Sequence, residues 1–232
     1  MKLLAVDIGN TNTKAAVFSG GRIRYPGRLE DACRKGIDKV VVASVSPERL
    51  KKTLPGLIKK YGNKAVHIIG KDIRVPLRSL YNPRQIGQDR LVTAYAASVL
   101  YGTPVLIIDF GTAVTFDVVS KKGVYMGGII FPGIKMSLES LHKKTALLPK
   151  VALRSARGFA ARDTKTSISN GIIYGYSYVC RGIVSRMSGQ FRGLRIVATG
   201  GDAELIGRYA PGFEVVDKDL SLKGIRLLAG PI

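Results

Sequence analysis

Two short stretches of the chain place carboxylates where they could handle phosphate chemistry. Leu4-Ala5-Val6-Asp7-Ile8-Gly9-Asn10-Thr11-Asn12-Thr13 and Leu106-Ile107-Ile108-Asp109-Phe110-Gly111-Thr112-Ala113-Val114-Thr115 are each an apolar strand ending in Asp-x-Gly, with a threonine four residues after the glycine. A carboxylate at the end of a buried strand needs compensation. A hard cation such as Mg2+ supplies it, because that ion takes oxygen ligands and bridges to phosphate. Gly9 and Gly111 let backbone N–H groups approach phosphate oxygens closely. Asn10, Thr11, Asn12, Thr13, Thr112 and Thr115 add neutral donors, and Lys14 adds a point charge. Two such turns facing one another across a cleft would clamp a triphosphate. Either turn taken alone reads equally well as a plain hairpin.

A third acidic position follows an Asn-Pro turn, in Tyr81-Asn82-Pro83-Arg84-Gln85-Ile86-Gly87-Gln88-Asp89-Arg90. Asp89 lies near the start of an apolar helix, and Arg90 offers the planar fork that suits a carboxylate ligand. In phosphoryl transfer, a carboxylate that accepts the proton of the attacking hydroxyl is the usual base. The plainer alternative is that Asp89 caps the helix and Arg90 makes a surface ion pair. Two glycine-rich strand ends complete the inventory. Gly127-Gly128-Ile129-Ile130-Phe131-Pro132-Gly133 would shape a pocket wall or turn the chain. Thr199-Gly200-Gly201-Asp202 would admit a planar base or phosphate at a helix N-terminus, or form a simple turn with Asp202 as N-cap. His67 and His142 stand alone and receive no catalytic role.

The elements that must position these residues repeat along the chain. After each Asp-x-Gly comes a second strand (Lys14 to Phe18; Phe116 to Val119), a glycine turn and a third strand. In the first half, the patterns predict a short helix over Leu29 to Lys35, a strand over Asp38 to Ala43, a helix over Pro47 to Tyr61, a strand over Ala65 to Ile69 and a helix over Arg84 to Leu100. In the second, they predict helix at Gly133 to Leu141, a long helix within Thr164 to Met187, and a strand at Leu194 to Ala198. A helix at Asp202 to Tyr209, a strand at Phe213 to Val216 and a helix at Leu220 to Ala229 complete it. Three strands followed by alternating helices and strands, given twice, describe an α/β chain of duplicated RNase H-like (actin-like ATPase) architecture: two similar halves, 1–103 and 104–232, with a nucleotide cleft between them.

Bulk properties bound the rest. The 232 residues suffice for one large domain or two small ones with real cores. No apolar run approaches the roughly 18 residues that span a bilayer, and Asp7 interrupts the N-terminal apolar stretch too early for a signal peptide. A cytoplasmic protein with no membrane partner is expected. Cys33 and Cys180 fit neither a disulfide framework nor a metal-ligand pattern and read as small buried apolar residues. Lys and Arg number 37 against 16 Asp and Glu, a net charge of +21. Such a field attracts polyanions. The basic residues are scattered in pairs, without an aromatic RNA-binding signature or a helix-turn-helix pattern. A solvated basic surface is therefore favoured over a polyanion site, and nucleic acid is not expected as a partner.

These residues, in this order, resemble the type III pantothenate kinase family. The resemblance rests on Asp7 to Thr11, Tyr81-Asn82-Pro83, Gly87 to Arg90, Ile108 to Ala113, Gly127 to Gly133, Thr164 with Gly171, and Thr199-Gly200-Gly201. It implies ATP as phosphate donor, held at Asp7, Ile8, Gly9, Asn10, Thr11, Asn12, Thr13, Lys14 and Thr112. It implies Mg2+, reached by Asp7 through phosphate or water, and a monovalent cation, potassium or ammonium, at Asp109. Pantothenate would contact Tyr81, Gly87, Gln88, Asp89, Arg90 and Thr164, and Asp89 would accept the proton of its primary hydroxyl. The product would be 4′-phosphopantothenate, which begins coenzyme A synthesis, and the enzyme would be a homodimer. Asp163 departs from the family, where Asn commonly precedes the threonine. Two other readings stay open: a kinase-related accessory protein that binds polyanions, and an actin-like kinase for another hydroxy acid or sugar.

Overall fold

The computed structural model describes residues 2–27, 29–32, 36–82, 85–210 and 212–230. The chain divides into two compact units: residues 1–100 with 219–232, and residues 101–218. The sequence pattern drew a single boundary at 103/104. The contacts instead return the last helix to the first unit.

In the first unit, β1 (Lys2–Ile8), β2 (Thr13–Ser19), β3 (Arg22–Arg24), β4 (Lys39–Ser44) and β5 (Val66–Ile68) form a sheet in the order β3-β2-β1-β4-β5. β1 pairs antiparallel with β2 and parallel with β4, and β4 pairs parallel with β5. Alternate side chains of a strand face opposite sides of a sheet. Here both sides are buried: Leu3 and Ala5 belong to one apolar cluster, Leu4, Val6 and Ile8 to another. This explains why β1 reads as a continuous apolar run.

Helix α1 (Leu29–Ala32) and helix α2 (Pro47–Tyr61) serve the second cluster. The bounds of α2 are those that local signals dictate. The Ser46 hydroxyl accepts the Arg49 N–H, Pro47 opens the first turn, and Gly62 leaves the helix at φ +81°. Leu50, Leu54, Leu57, Ile58 and Tyr61 recur on its inner face. A single 3-10 turn (Asn63–Ala65) then leads into β5. The expected helix at 29–35 is described only as far as Ala32. The expectation of a buried Cys33 lies outside the described residues.

The first cluster is closed by helix α3 (Gln88–Tyr101), which follows the short strand β6 (Arg78–Ser79), and by helix α7 (Leu220–Leu228). The predicted start of this helix, Arg84, lies outside the described residues; residues 85–87 are not helical, and the Gln85 N–H donates to the Asn82 carbonyl. Gly224 marks where α7 crosses α3: a Cβ there would come 2.7 Å from both Val92 Cγ1 and the Val92 carbonyl oxygen. Gly224→Ala sets a helix-propensity gain of up to ~1 kcal/mol against an overpacking cost of about 1–3 kcal/mol. Because the obstacle includes backbone, the clash wins. The expected result is a net destabilisation of about 1–2 kcal/mol, read as a lower urea midpoint. A rise in stability would contradict this crossing.

The second unit repeats the strand order. β7 (Val105–Phe110), β8 (Ala113–Val119), β9 (Val124–Pro132), β10 (Arg195–Gly200) and β11 (Val215–Val216) run β11-β10-β7-β8-β9. β7 thus corresponds to β1, and the two Asp-x-Gly turns occupy equivalent places. Helix α4 (Ile134–Lys143), helix α5 (Thr164–Gln190) and helix α6 (Ala203–Gly207) supply the unit's helices. On α5, Ile168, Ile172, Tyr176 and Cys180 recur every four residues and pack on Leu106, Ile108 and Phe110 of β7. Cys180 is buried as expected, and burial pushes its thiol up to about 12.

Candidate active site

The first carboxylate is fixed by a hairpin. Asp7 lies opposite Lys14 in the antiparallel register of β1 and β2. The Gly9 N–H donates to the Asn12 carbonyl oxygen at 2.9 Å, and a Cβ on Gly9 would press to 3.2 Å from that oxygen. Asn10, Thr11, Asn12 and Lys14 are exposed, and Thr13 is half-buried. Ile8 is wholly buried, so of this residue only backbone is positioned to meet a ligand. Burial raises the pKa of Asp7 above its ordinary value, opposed by a hydrogen bond with Ser221 and by the charge of Lys14. A carboxylate so placed is suited to a cation.

Two residues of this site carried no signal in the sequence. Ser221 comes from the first turn of α7, more than two hundred residues along the chain from its partner. Arg49 comes from the first turn of α2. Its Nη1 donates to the carbonyl oxygens of Asn10 (3.1 Å) and Thr11 (2.6 Å), and its Nη2 to Thr13 Oγ1 (3.0 Å). Both contacts arise only when helices pack against the strand ends.

The Gly87–Arg90 segment meets the same edge of the first sheet. The Val45 N–H donates to the carbonyl of Ile8, the last residue of β1, and a Cβ on Gly87 would lie 3.7 Å from Val45 Cγ1. Beyond β5, a Cβ on Gly70 would collide with the Gln88 side chain at 2.9 Å. The start of α3 therefore sits at the C-terminal ends of parallel strands, where open α/β sheets bind ligands. Asp89 Oδ1 accepts the Arg90 N–H at 2.7 Å, and a Cβ on Gly87 would stand 2.5 Å from that oxygen. Gly87 thus leaves room for the carboxylate. Arg90 is only 8% exposed, and its guanidinium carbon lies 5.6 Å from the centre of the Tyr81 ring. This excludes the surface ion pair of the plainer alternative and brings two of the expected acceptor contacts together.

In the second unit, Asp109 is the next-to-last residue of β7 and Thr112 is exposed in the following turn. Bare backbone closes on this turn from two directions. Gly200, at φ +93°, leaves no space for a Cβ, which would lie 2.5 Å from the Phe110 carbonyl oxygen and 2.7 Å from Asp109 Oδ1. The next residue, Gly201, donates its N–H to the same Phe110 oxygen at 3.1 Å. A Cβ on Gly133 would overlap the Thr112 carbonyl. The glycine-rich strand ends therefore pack around the second Asp-x-Gly turn. Asp202 stands at the N-cap of α6 without a side-chain capping bond; burial raises its pKa and Lys135 opposes the shift. Thr164 is the first residue of α5, and Asp163 is its N-cap. The Asp163 carboxylate accepts the Thr166 N–H at 2.9 Å, which lowers its pKa. The departure at 163 is thus a good helix cap.

Among the described residues, no group of three or more His, Cys, Asp or Glu is arranged to hold a metal ion. The donor set instead suits a divalent ion that arrives with phosphate oxygens and borrows one carboxylate.

Comparison with known proteins decides the family. A family model for type III pantothenate kinase matches residues 29–186. A type III pantothenate kinase from Myxococcus xanthus is 37% identical, with 98% of each chain covered, and one from Syntrophotalea carbinolica is 36% identical, with 97% of each covered. The chain belongs to the type III pantothenate kinase family. Two solved structures support the fold alone. One is a conserved Campylobacter jejuni protein assigned to the Baf family of transcriptional activators (TM-score 0.61, 19% identity, 97% of this chain and 96% of that one). The other is the activator of 2-hydroxyisocaproyl-CoA dehydratase from Clostridium difficile with bound ADPNP (TM-score 0.54, 13% identity, 99% and 93%). The pantothenate kinase family and the twice-repeated strand order agree on the actin-like ATPase fold.

Proposed function

We propose that this chain transfers the γ-phosphoryl group of ATP to the primary hydroxyl of pantothenate, giving ADP and 4′-phosphopantothenate and so opening coenzyme A synthesis. The observation that carries the reading is membership of the family over nearly the whole chain, and the sequence carries Asp7, Asp89, Arg90 and Asp109.

The chemistry runs as follows. Pantothenate lies against Tyr81, Gly87 and Gln88, with its carboxylate on the Arg90 fork. Asp89 takes the proton of the attacking hydroxyl as that oxygen bonds to the γ-phosphorus. The bond to the bridging oxygen breaks, and its electron pair leaves on ADP. Asp89 has the support of the Arg90 N–H, which orients its carboxylate. The ATP phosphates contact the backbone and side chains from Asp7 to Lys14. Mg2+, reached by Asp7 through phosphate or water, would supply positive charge to the phosphates, and Asp109 would hold potassium or ammonium. The protein acts in the cytoplasm as a homodimer. Among the described residues no helix is long and apolar enough to cross a membrane.

The test is a panel of acceptors with labelled ATP, run with and without potassium. Pantothenate is expected to be labelled, and faster with potassium or ammonium than with sodium. Labelling of another hydroxy acid or a sugar in its place would establish the alternative kinase. The net charge of +21 favours one further reading, an accessory protein that binds polyanions. Salt-sensitive nucleic-acid binding without any pantothenate phosphorylation would establish that one.

A further inference from the structure

We infer that Arg49 is a positioning residue for the nucleotide: it orients the Asn10–Asn12 backbone so that its N–H groups face the ATP phosphates. The inference rests on the proposed use of ATP at the first Asp-x-Gly turn.

The peptide groups linking Asn10 to Thr11 and Thr11 to Asn12 are trans, so the C=O and N–H of each point in opposite directions. Arg49 Nη1 takes both carbonyl oxygens, at 3.1 and 2.6 Å. The N–H groups of Thr11 and Asn12 are thereby directed away from the guanidinium. Successive N–H groups on one side of a turn form an anion-binding concavity. The third contact, from Nη2 to Thr13 Oγ1 at 3.0 Å, fixes the end of the turn where β2 begins.

The fork itself is held in place. Arg49 is half-buried, and its own backbone N–H donates to the N-cap residue Ser46 of α2. One planar cation thus reads three acceptors from a rigid helix, which a lysine ammonium cannot reproduce in the same geometry. Three of the guanidinium's N–H donors are engaged with the turn, and it acts on phosphate through the backbone it holds.

The test compares the parent protein with Arg49→Ala and Arg49→Lys by steady-state kinetics, varying ATP and pantothenate separately. Loss of charge-assisted hydrogen bonds of this kind predicts a rise in KM for ATP of about tenfold or more in Arg49→Ala. KM for pantothenate should stay within about twofold, because among the described residues the guanidinium's hydrogen bonds go to the first turn. Arg49→Lys should fall between the two, and added guanidinium ion should restore part of the ATP affinity to Arg49→Ala. Equal rises in both KM values, or an unchanged KM for ATP, would overturn the inference. If Arg49→Ala fails to fold, Arg49→Lys carries the same comparison. A parent protein that does not use ATP would instead defeat the proposed function, so the two failures are distinguishable.

Discussion

Asp89→Asn is expected to lower kcat for pantothenate phosphorylation by about 10²–10⁴-fold while the Kd for ATP changes by less than about twofold. The exchange is nearly isosteric. An asparagine carbonyl oxygen can still accept the Arg90 N–H that Asp89 Oδ1 now accepts at 2.7 Å. The space left by Gly87 still accommodates the side chain. What disappears is the capacity to take a proton at that point. The loss should therefore fall on the chemical step and leave both substrates bound. A kinetic split of this kind separates a base from a structural helix-start residue, whose loss would appear first as lowered stability. A variant that turns over at the parent rate would remove Asp89 from the mechanism.

Asp7→Asn should divide stability from function. Burial raises the Asp7 pKa, so the folded protein holds this proton more tightly than the unfolded chain does. The stabilising effect of protonation is fully present below the unfolded value, and it is lost as pH rises through the folded one. Once ionised, the group therefore works against folding, even with Lys14 opposite it and Ser221 bonded to it. Asparagine removes the charge and can keep the Ser221 bond. The apo variant is expected to melt no lower than the parent at pH 7. Turnover with Mg·ATP should nonetheless fall about 10–100-fold, the usual loss when an outer-shell metal partner is removed. The stability advantage should shrink as pH is lowered toward the unfolded carboxylate value, because both proteins then carry a neutral side chain there. Thermal melts across pH, paired with an activity assay, check both halves. A variant that is both less stable and fully active would contradict the assignment.

Much of this arrangement is written locally, and that part was legible. Helix α2 begins at Pro47 and ends at Tyr61, as predicted, because Ser46, Pro47 and Gly62 act on their own neighbours. The repeated Asp-x-Gly motif reported a real equivalence, since β1 and β7 hold the same place in sheets of the same order. The start of α3 was less legible. Helix periodicity extends back toward Arg84, but the Gln85 N–H goes to the Asn82 carbonyl, and Gly87 and Gln88 answer to contacts with other elements.

What could not be read depends on contacts between distant segments. The apolar positions Leu222, Ile225 and Ala229 announce a buried helix face but do not say which sheet it covers. The glycines at 133 and 200 were visible, yet their reason is a carbonyl in the Asp109–Thr112 turn. Arg49 is one of many basic residues in a strongly basic chain. Its acceptors are two main-chain carbonyls and a threonine hydroxyl, groups that leave no mark in residue type or spacing.

The most direct test is the identity of the product. Purified protein, MgATP, potassium and pantothenate would be incubated together and followed by phosphorus NMR and mass spectrometry. The account predicts one ADP for each new phosphomonoester, with the phosphate coupled to the methylene protons of the pantothenate primary alcohol. ATP consumption that ignores pantothenate, or a phosphate found at any other position, would contradict it.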